Sequence, residues 1–270
     1  MASPYYAVER VLGELRITSP KDLQLLDSIA WERGATVLYK PLRGAEARLA
    51  VVGNRAIITI SNSVEDPRRR RFSIAHELGH LELHRQHSSV VLCTSQDIDD
   101  WKDRCTDTSP EREANEFASA LLLPEQFFAP LCKDETPSLD LIADLAETFN
   151  VSLTATALRY LNFCDEPCAI VFSQEGYIRW FQGSKYFADI GVFIDVRSKL
   201  DLSSLAALLF QGRTARTTPK QVSASAWFEP GRYREDAAIL EQSWAMPNYK
   251  AVLTLLWIDD DIEDEDDYWL

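Results

Sequence analysis

Histidine is scarce in this 270-residue chain: there are four, and all fall within twelve residues, at positions 76, 80, 84 and 87. No run of about 18 apolar residues exists, which excludes a membrane-spanning helix. The start, Met1-Ala2-Ser3-Pro4-Tyr5, has no basic segment followed by an apolar one. No secretory signal is therefore expected, and the expected address is the cytoplasm. Cysteine offers no paired motif. Five are present, and Cys164 and Cys168 have three residues between them, so neither a redox C-x-x-C nor half a zinc ribbon is formed. All five read as ordinary reduced thiols. Positive charge is short as well, with 28 Lys and Arg against 42 Asp and Glu, a net charge of −14. A pI near 4.8 excludes a chain-wide nucleic-acid footprint. The one basic cluster, Arg68 to Arg71, reads as a solvated helix start, and residues 259–267, with eight acids in nine, as a solvated tail. There is no internal repeat.

What is present suits a globular protein. With 46% hydrophobic and 26% charged residues, 270 residues can fill two or three small domains. Tyr5, Val8, Leu12 and Leu15 recur at helical spacing, predicting a helix over 5–15. A second is expected over 21–33, with Ser19 as cap, Pro20 in the first turn and Gly34 as stop. Strands follow over 36–39, 48–52 and 56–60, the last two joined at Gly53-Asn54 as a hairpin. Asp66-Pro67 then opens a helix with Phe72, Ile74, Ala75, Leu78, Gly79, Leu81 and Leu83 around most of its circumference, the mark of a buried helix.

Residues 85–108 read as irregular, with a short helix near 97–102. Ser109-Pro110 opens another helix, striped by Ala114, Phe117, Ala118, Leu121 and Leu122; Pro124 ends it, and 124–130 turns the chain away. Residues 138–162 outline a helix-turn-helix about Asn150-Val151-Ser152. Its second helix offers only Arg159 as a cation, too little for base and phosphate contacts, so it reads as scaffold and no direct DNA binding is expected. Beyond residue 167, strands are expected over 169–172, 177–181, 192–196, 222–227 and 251–258, and helices over 200–209 and 235–244. The fold class is α+β.

The chemistry sits at His76-Glu77-Leu78-Gly79-His80. Histidines four apart share one helical face and can reach one metal ion, and Glu77 can face a water activated by it. Gly79 lets a second backbone approach closely. Hydrolytic zinc sites take three protein ligands and keep a fourth position for water. A metzincin pattern would supply the third as histidine at position 86; the chain has Gln86. His84 lies one more turn along the same straight helix, about 12 Å from His76. It reads as helix-end packing or as a group supporting a ligand. A carboxylate from the next helix remains. Glu111 shares a face with Ala114, Asn115 and Ala118, whereas Glu113 is turned about 160° away and is expected to be the more exposed. Glu111 is therefore the candidate third ligand, and Asn115 a group that can fix the tautomer of a ligand histidine.

Together, RRRRFSIAHELGHLELH and EREANEFASALLLPEQ, preceded by the hairpin RLAVVGNRAIITISN, resemble the ImmA/IrrE family of zinc metallopeptidases over about residues 20 to 130. The resemblance implies a zincin-like domain in which His76, His80 and Glu111 bind Zn2+, Mn2+ being able to use the same site, and Glu77 is the general base. It implies a layout like the radiation-response members: peptidase domain at 1–132, a helix-turn-helix-like segment at 133–164, and a C-terminal α/β GAF-like sensor at 165–270 that takes a small ligand. The implied activity is cleavage of a helix-turn-helix repressor in a stress response, an extended substrate pairing with a free edge of the 48–60 hairpin. The alternative is a non-catalytic, zinc-containing anti-repressor or antitoxin-type binder.

Overall fold

The computed structural model describes residues 3–85, 90–94, 109–133, 135–212, 214–229 and 238–258. The helix expected at 97–102, His87, Cys105 and the acidic run at 259–267 lie outside them. The chain forms two compact units, Met1–Pro130 with Leu145–Ala155, and Leu131–Asp144 with Thr156–Leu270.

In the first unit, α1 (Pro4–Glu14) falls where its spacing predicts. The second expected helix is broken. Asp22–Gln24 is a single 3-10 turn, and α2 (Leu26–Glu32) starts only after Leu25 leaves helical geometry. Asp22, not Ser19, is the capping acceptor: its Oδ2 takes the backbone N–H groups of Thr18 at 3.0 Å and Ser19 at 2.9 Å. Strands β1 (Ala35–Lys40), β2 (Ala47–Val52), β3 (Arg55–Ser61) and β4 (Val90–Cys93) form a sheet of order β1-β3-β2-β4. β1 runs parallel to β3, while β2 is antiparallel to both β3 and β4. Strand β4 lies in the stretch read as irregular; four residues, Val90-Val91-Leu92-Cys93, are too short a run to show a period. Its presence corrects the substrate-docking expectation. β3 is flanked by β1 and β2, and the outer edge of β2 is taken by β4, so neither hairpin strand has a free edge.

Helix α3 (Pro67–His84) begins as predicted, the Asp66 carboxylate accepting from Arg68 N–H at 2.8 Å. Residues 73–81 of it are all buried. The basic cluster at its start is not a solvated face. Arg71 is buried and donates to the backbone carbonyls of Leu23, Gln24 and Asn150. Arg69 pairs with Glu46 at 2.8 Å. The carbonyl of buried Leu23 needs a donor, and a long cation meets that need while reaching the half-buried Asn150 carbonyl as well. Helix α4 (Pro110–Leu122) is capped by Ser109 Oγ, which accepts from Arg112 N–H. It crosses α3 at Gly79, where an added Cβ would stand 2.9 Å from Ala114 Cα. Pro124 ends α4, yet its carbonyl accepts from the N–H groups of Phe127 and Phe128, so the expected turn is a further helix, α5 (Glu125–Cys132).

Helices α6 (Leu139–Phe149) and α7 (Leu153–Tyr160), with Asn150 left-handed between them, form the predicted pair. Each is divided between the two units, at Asp144/Leu145 and Ala155/Thr156. Arg159 is buried against the Phe163 ring. The segment's one cation is thus turned inward.

The second unit holds β5 (Cys168–Gln174), β6 (Tyr177–Gly183), α8 (Lys185–Ile190), α9 (Leu205–Phe210), β7 (Lys220–Ser223), β8 (Ala238–Met246) and β9 (Ala251–Trp257). The sheet has order β6-β5-β9-β8-β7, every pairing antiparallel. Residues 192–196 are not a strand; the chain runs along the surface there and turns Ile194 into the core. The strand expected over 222–227 stops at Ser223 and gives way to a 3-10 turn. Helix α9 starts only at Leu205, capped by Ser204. The helix expected over 235–244 is strand β8 throughout its described part. It is covered on both faces at 240–244 apart from Leu240 and carries polar Glu241, Gln242 and Ser243 there, so no strand alternation shows in its sequence. Buried Glu241 accepts from Leu205 N–H at 3.0 Å, Ala206 N–H at 2.7 Å, Trp227 Nε1–H at 2.9 Å and Ser243 Oγ–H at 2.9 Å.

Candidate metal centre

The Gly79–Ala114 contact brings α3 and α4 backbone to backbone, within reach of short side chains. His76 and His80, one turn apart on α3, are both buried. Their Nε2 atoms lie 3.0 Å apart, and Glu111 Oε2 on α4 is 3.1 Å from the first and 3.2 Å from the second. The structure thus brings His76, His80 and Glu111 together.

The other ring nitrogens decide what these three atoms can do. Asn115 Oδ1 stands 2.8 Å from His76 Nδ1 and accepts its N–H. His84 Nε2 is 2.7 Å from Glu113 Oε2, a carboxylate that can only accept, so in the neutral ring His84 Nδ1 is left as an acceptor. That Nδ1 lies 3.3 Å from His80 Nδ1 and takes its N–H. Both ligand candidates therefore present Nε2 lone pairs to a carboxylate oxygen. Three acceptors at 3.0–3.2 Å with no hydrogen to share repel one another, and a cation among them removes the conflict. The donor set fits a divalent metal.

Two features escape the sequence reading. The first is the carboxylate behind His84. Glu113 was expected to be the more exposed acid; its side chain is 17% exposed against 29% for Glu111. The hydrogen bond to His84 draws it in. The spacing of Glu113 from Glu111 signalled only a different helical face, and the last turn of α3 occupies that face. The second is Cys93. Its Sγ stands 3.6 Å from His80 Nε2 and 3.9 Å from Glu111 Oε2, and the ligand atoms of His76, His80, Cys93 and Glu111 all lie within 4.8 Å of one another. Thirteen residues and a strand separate it from His80, so no spacing rule reveals it. Glu82 is gripped by Arg10 and Arg33, each at 2.7 Å.

Glu77 is fully buried, and neither carboxylate oxygen has a hydrogen-bond partner. Burial pushes its carboxyl up to about 8; the nearby Cys93 thiol offsets part of this, and the Glu111 charge adds to it. Burial also works to raise Glu111, but when the His76 and His80 rings carry a proton on the edge facing it, in place of a cation, their hydrogen bonds and charge overcome that and hold it well below the usual carboxylate range. Two carboxyl groups in one site are thus driven in opposite directions, the pattern that separates a proton carrier from a fixed charge.

A His-Glu-x-x-His helix crossed by a glutamate-bearing helix defines a metallopeptidase-like domain. Residues 30–161, just under half of the chain, match the family model described as the IrrE N-terminal-like domain, Peptidase M78. No curated protein matches the chain. Among solved structures, a Mycobacterium tuberculosis transcriptional regulator is similar over 97% of this chain and 89% of its own, at 17% identity and a TM-score of 0.55. That likeness is one of fold. Among the described residues, no helix is long and apolar enough to cross a membrane.

Proposed function

We propose that the chain is a zinc-dependent endopeptidase that cuts a protein partner, a helix-turn-helix repressor, to relieve repression. The observation that carries this is the convergence of His76, His80 and Glu111 beside a buried, unpartnered Glu77. His76, His80 and Glu111 are the metal ligands. Asn115 holds His76, and His84 backed by Glu113 holds His80, each in the tautomer that presents Nε2. Two imidazoles and one carboxylate suit Zn2+, with Mn2+ as the second choice. When bound, such an ion acidifies water and polarises a carbonyl.

The chain's own contribution is proton handling. Glu77 takes the proton of the attacking water as it adds to the scissile carbonyl, then passes it to the leaving amine. A carboxyl raised towards neutrality can do both. Its oxygens have no hydrogen-bond partner among the described residues, and the weak Cys93 thiol nearby is a poor competitor for that proton.

In this reading residues 1–132 are the peptidase domain, 133–164 a helical scaffold and 165–270 a GAF-like sensor for a small ligand, in a cytoplasmic stress response. The antiparallel sheet with short helices supports the sensor assignment, and the inward Arg159 supports the absence of DNA contact. The test is incubation of the full chain with Zn2+ and a helix-turn-helix regulator encoded beside its gene, read by mass spectrometry. One cut made by wild type and lost in Glu77→Gln supports the reading; an equal cut by both removes Glu77 from its role. Unchanged metal content in Glu111→Ala would move the third ligand elsewhere. One observation favours the second reading, a non-catalytic zinc-containing anti-repressor: Cys93 offers the centre a fourth donor.

A further inference from the structure

We propose that Cys93 is a fourth protein ligand, so that the resting metal centre is a closed His-His-Glu-Cys site, opened for hydrolysis when strand β4 leaves β2. This rests on the metallopeptidase reading above and adds to it the regulation of the same site.

The first argument is distance. A tetrahedral zinc with bonds of ~2.0–2.2 Å to nitrogen and oxygen and ~2.3 Å to sulfur separates two N/O ligands by about 3.4 Å and a sulfur from an N/O ligand by about 3.6 Å. Five of the six observed edges are 3.0, 3.1 and 3.2 Å among the N/O atoms and 3.6 and 3.9 Å from Cys93 Sγ, and the sixth, from Cys93 Sγ to His76, lies within 4.8 Å. Sulfur thus stands farther off than the other three, in the direction that its longer bond requires.

The second argument is saturation. His80 Nε2 carries one lone pair and is approached by His76 Nε2, Glu111 Oε2 and Cys93 Sγ at once. A thiol acting as a small buried hydrophobe has one weak hydrogen to give and cannot satisfy both His80 and Glu111. A cation shared by all four atoms does. Binding then breaks the S–H bond and releases its proton to solvent as the sulfur–metal bond forms.

The third argument is the strand that delivers the thiol. β4 is held to β2 over four residue pairs, from Ala47↔Cys93 to Ala50↔Val90. It occupies the edge of β2 on which an extended substrate segment would pair. An entering substrate strand that displaces β4 therefore removes the thiolate and gains the sheet edge in one event. A catalytic zinc keeps a position for water, and in the closed site Cys93 fills it.

The test is spectroscopic and uses the full chain. Loaded with one Co2+ per chain, wild type is expected to show a thiolate-to-cobalt charge-transfer band in the near ultraviolet. Cys93→Ser should lose that band and keep its one Co2+. The Cys164→Ser/Cys168→Ser double variant should keep the band, because those thiols lie in the other unit. In case Cys93→Ser does not fold, X-ray absorption at the zinc edge of wild type is expected to find one sulfur at about 2.3 Å beside nitrogen and oxygen neighbours. A centre with nitrogen and oxygen neighbours only, or a band that survives in Cys93→Ser, overturns the proposal and leaves the peptidase reading standing. A sulfur-bound centre in a chain that cuts no repressor upholds Cys93 as the fourth ligand and overturns the peptidase reading together with the opening for hydrolysis.

Discussion

Each of the two units buries a glutamate completely, Glu77 on α3 and Glu241 on β8, and they are opposites in every other respect. Four donors converge on Glu241: two N–H groups at the start of α9, an indole and a hydroxyl. Glu77 has none. Burial is the first cause raising the carboxyl at both sites, and at Glu241 the donors oppose it. A buried acid wrapped in donors pins secondary structure, whereas one left bare is held in readiness to take and give a proton. Burial alone does not distinguish a structural charge from a reactive one; the donor count does.

Substituting glutamine at each position tests this. The largest effect is expected from Glu77→Gln on repressor cleavage, a loss of roughly 10²–10⁴-fold in kcat/KM with metal content unchanged. In metal-free protein the same variant should gain stability. Glu77 stays protonated in the fold up to about 8, while its ordinary value is 4.5. The folded state therefore holds a proton that the unfolded state loses over that interval. The stability linked to this proton is complete below pH 4.5 and is lost as pH rises through 8, with a slope of up to about 1.4 kcal/mol per pH unit. Urea melts of chelator-treated wild type and Glu77→Gln should therefore diverge from pH 5 to pH 8, the variant being the more stable. Parallel curves would mean that the Glu77 carboxyl is solvated.

Glu241→Gln is expected to act in the reverse sense, destabilising by about 2 kcal/mol, because the amide sets two N–H donors among donors. A lower urea midpoint would show it; an unchanged midpoint would break the comparison. The smallest effect is expected at the half-buried Glu113. Glu113→Ala should weaken metal affinity by roughly 10–100-fold through loss of the His84–His80 orientation, measurable by competition with a chromophoric chelator. Glu113→Gln, which keeps an acceptor for His84 Nε2–H, should recover part of the loss.

Much of the first unit was legible because its signals are local. Asp66-Pro67 and Ser109-Pro110 mark the starts of the two site helices, and the inward face of Glu111 follows from Ala114 and Ala118 beside it. Gly79 announced the close crossing that the structure places at Ala114. Illegible features depended on distant partners. Cys93 belongs to a strand of four residues that pairs, among the described residues, with β2 alone, forty or more residues back. Glu113 is turned inward by a histidine on another helix. In the second unit β8 was misread because its polar residues answer to contacts across the fold: Glu241 to α9, and Gln242 to the N–H of Leu139 at 2.6 Å. Its described residues carry no alternation to mark a strand, and polar side chains that face inward look in sequence like those that face water.

The division of α6 at Asp144/Leu145 has a practical consequence for anyone handling this protein in pieces. The chain passes between its two units at residues 130/131, 144/145 and 155/156, so no single scissile point separates them. A fragment ending near residue 130 would lack the stretch from 145 to 155, including Phe149, which packs on Phe128 at 5.5 Å, and Asn150, whose carbonyl receives Arg71. A fragment extended to 155 would carry the first half of α6 without the Gln242 side chain that accepts from Leu139 N–H. Limited proteolysis between 131 and 155 is therefore expected to inactivate rather than to liberate an autonomous peptidase, and a minimal expression clone has to encode both units.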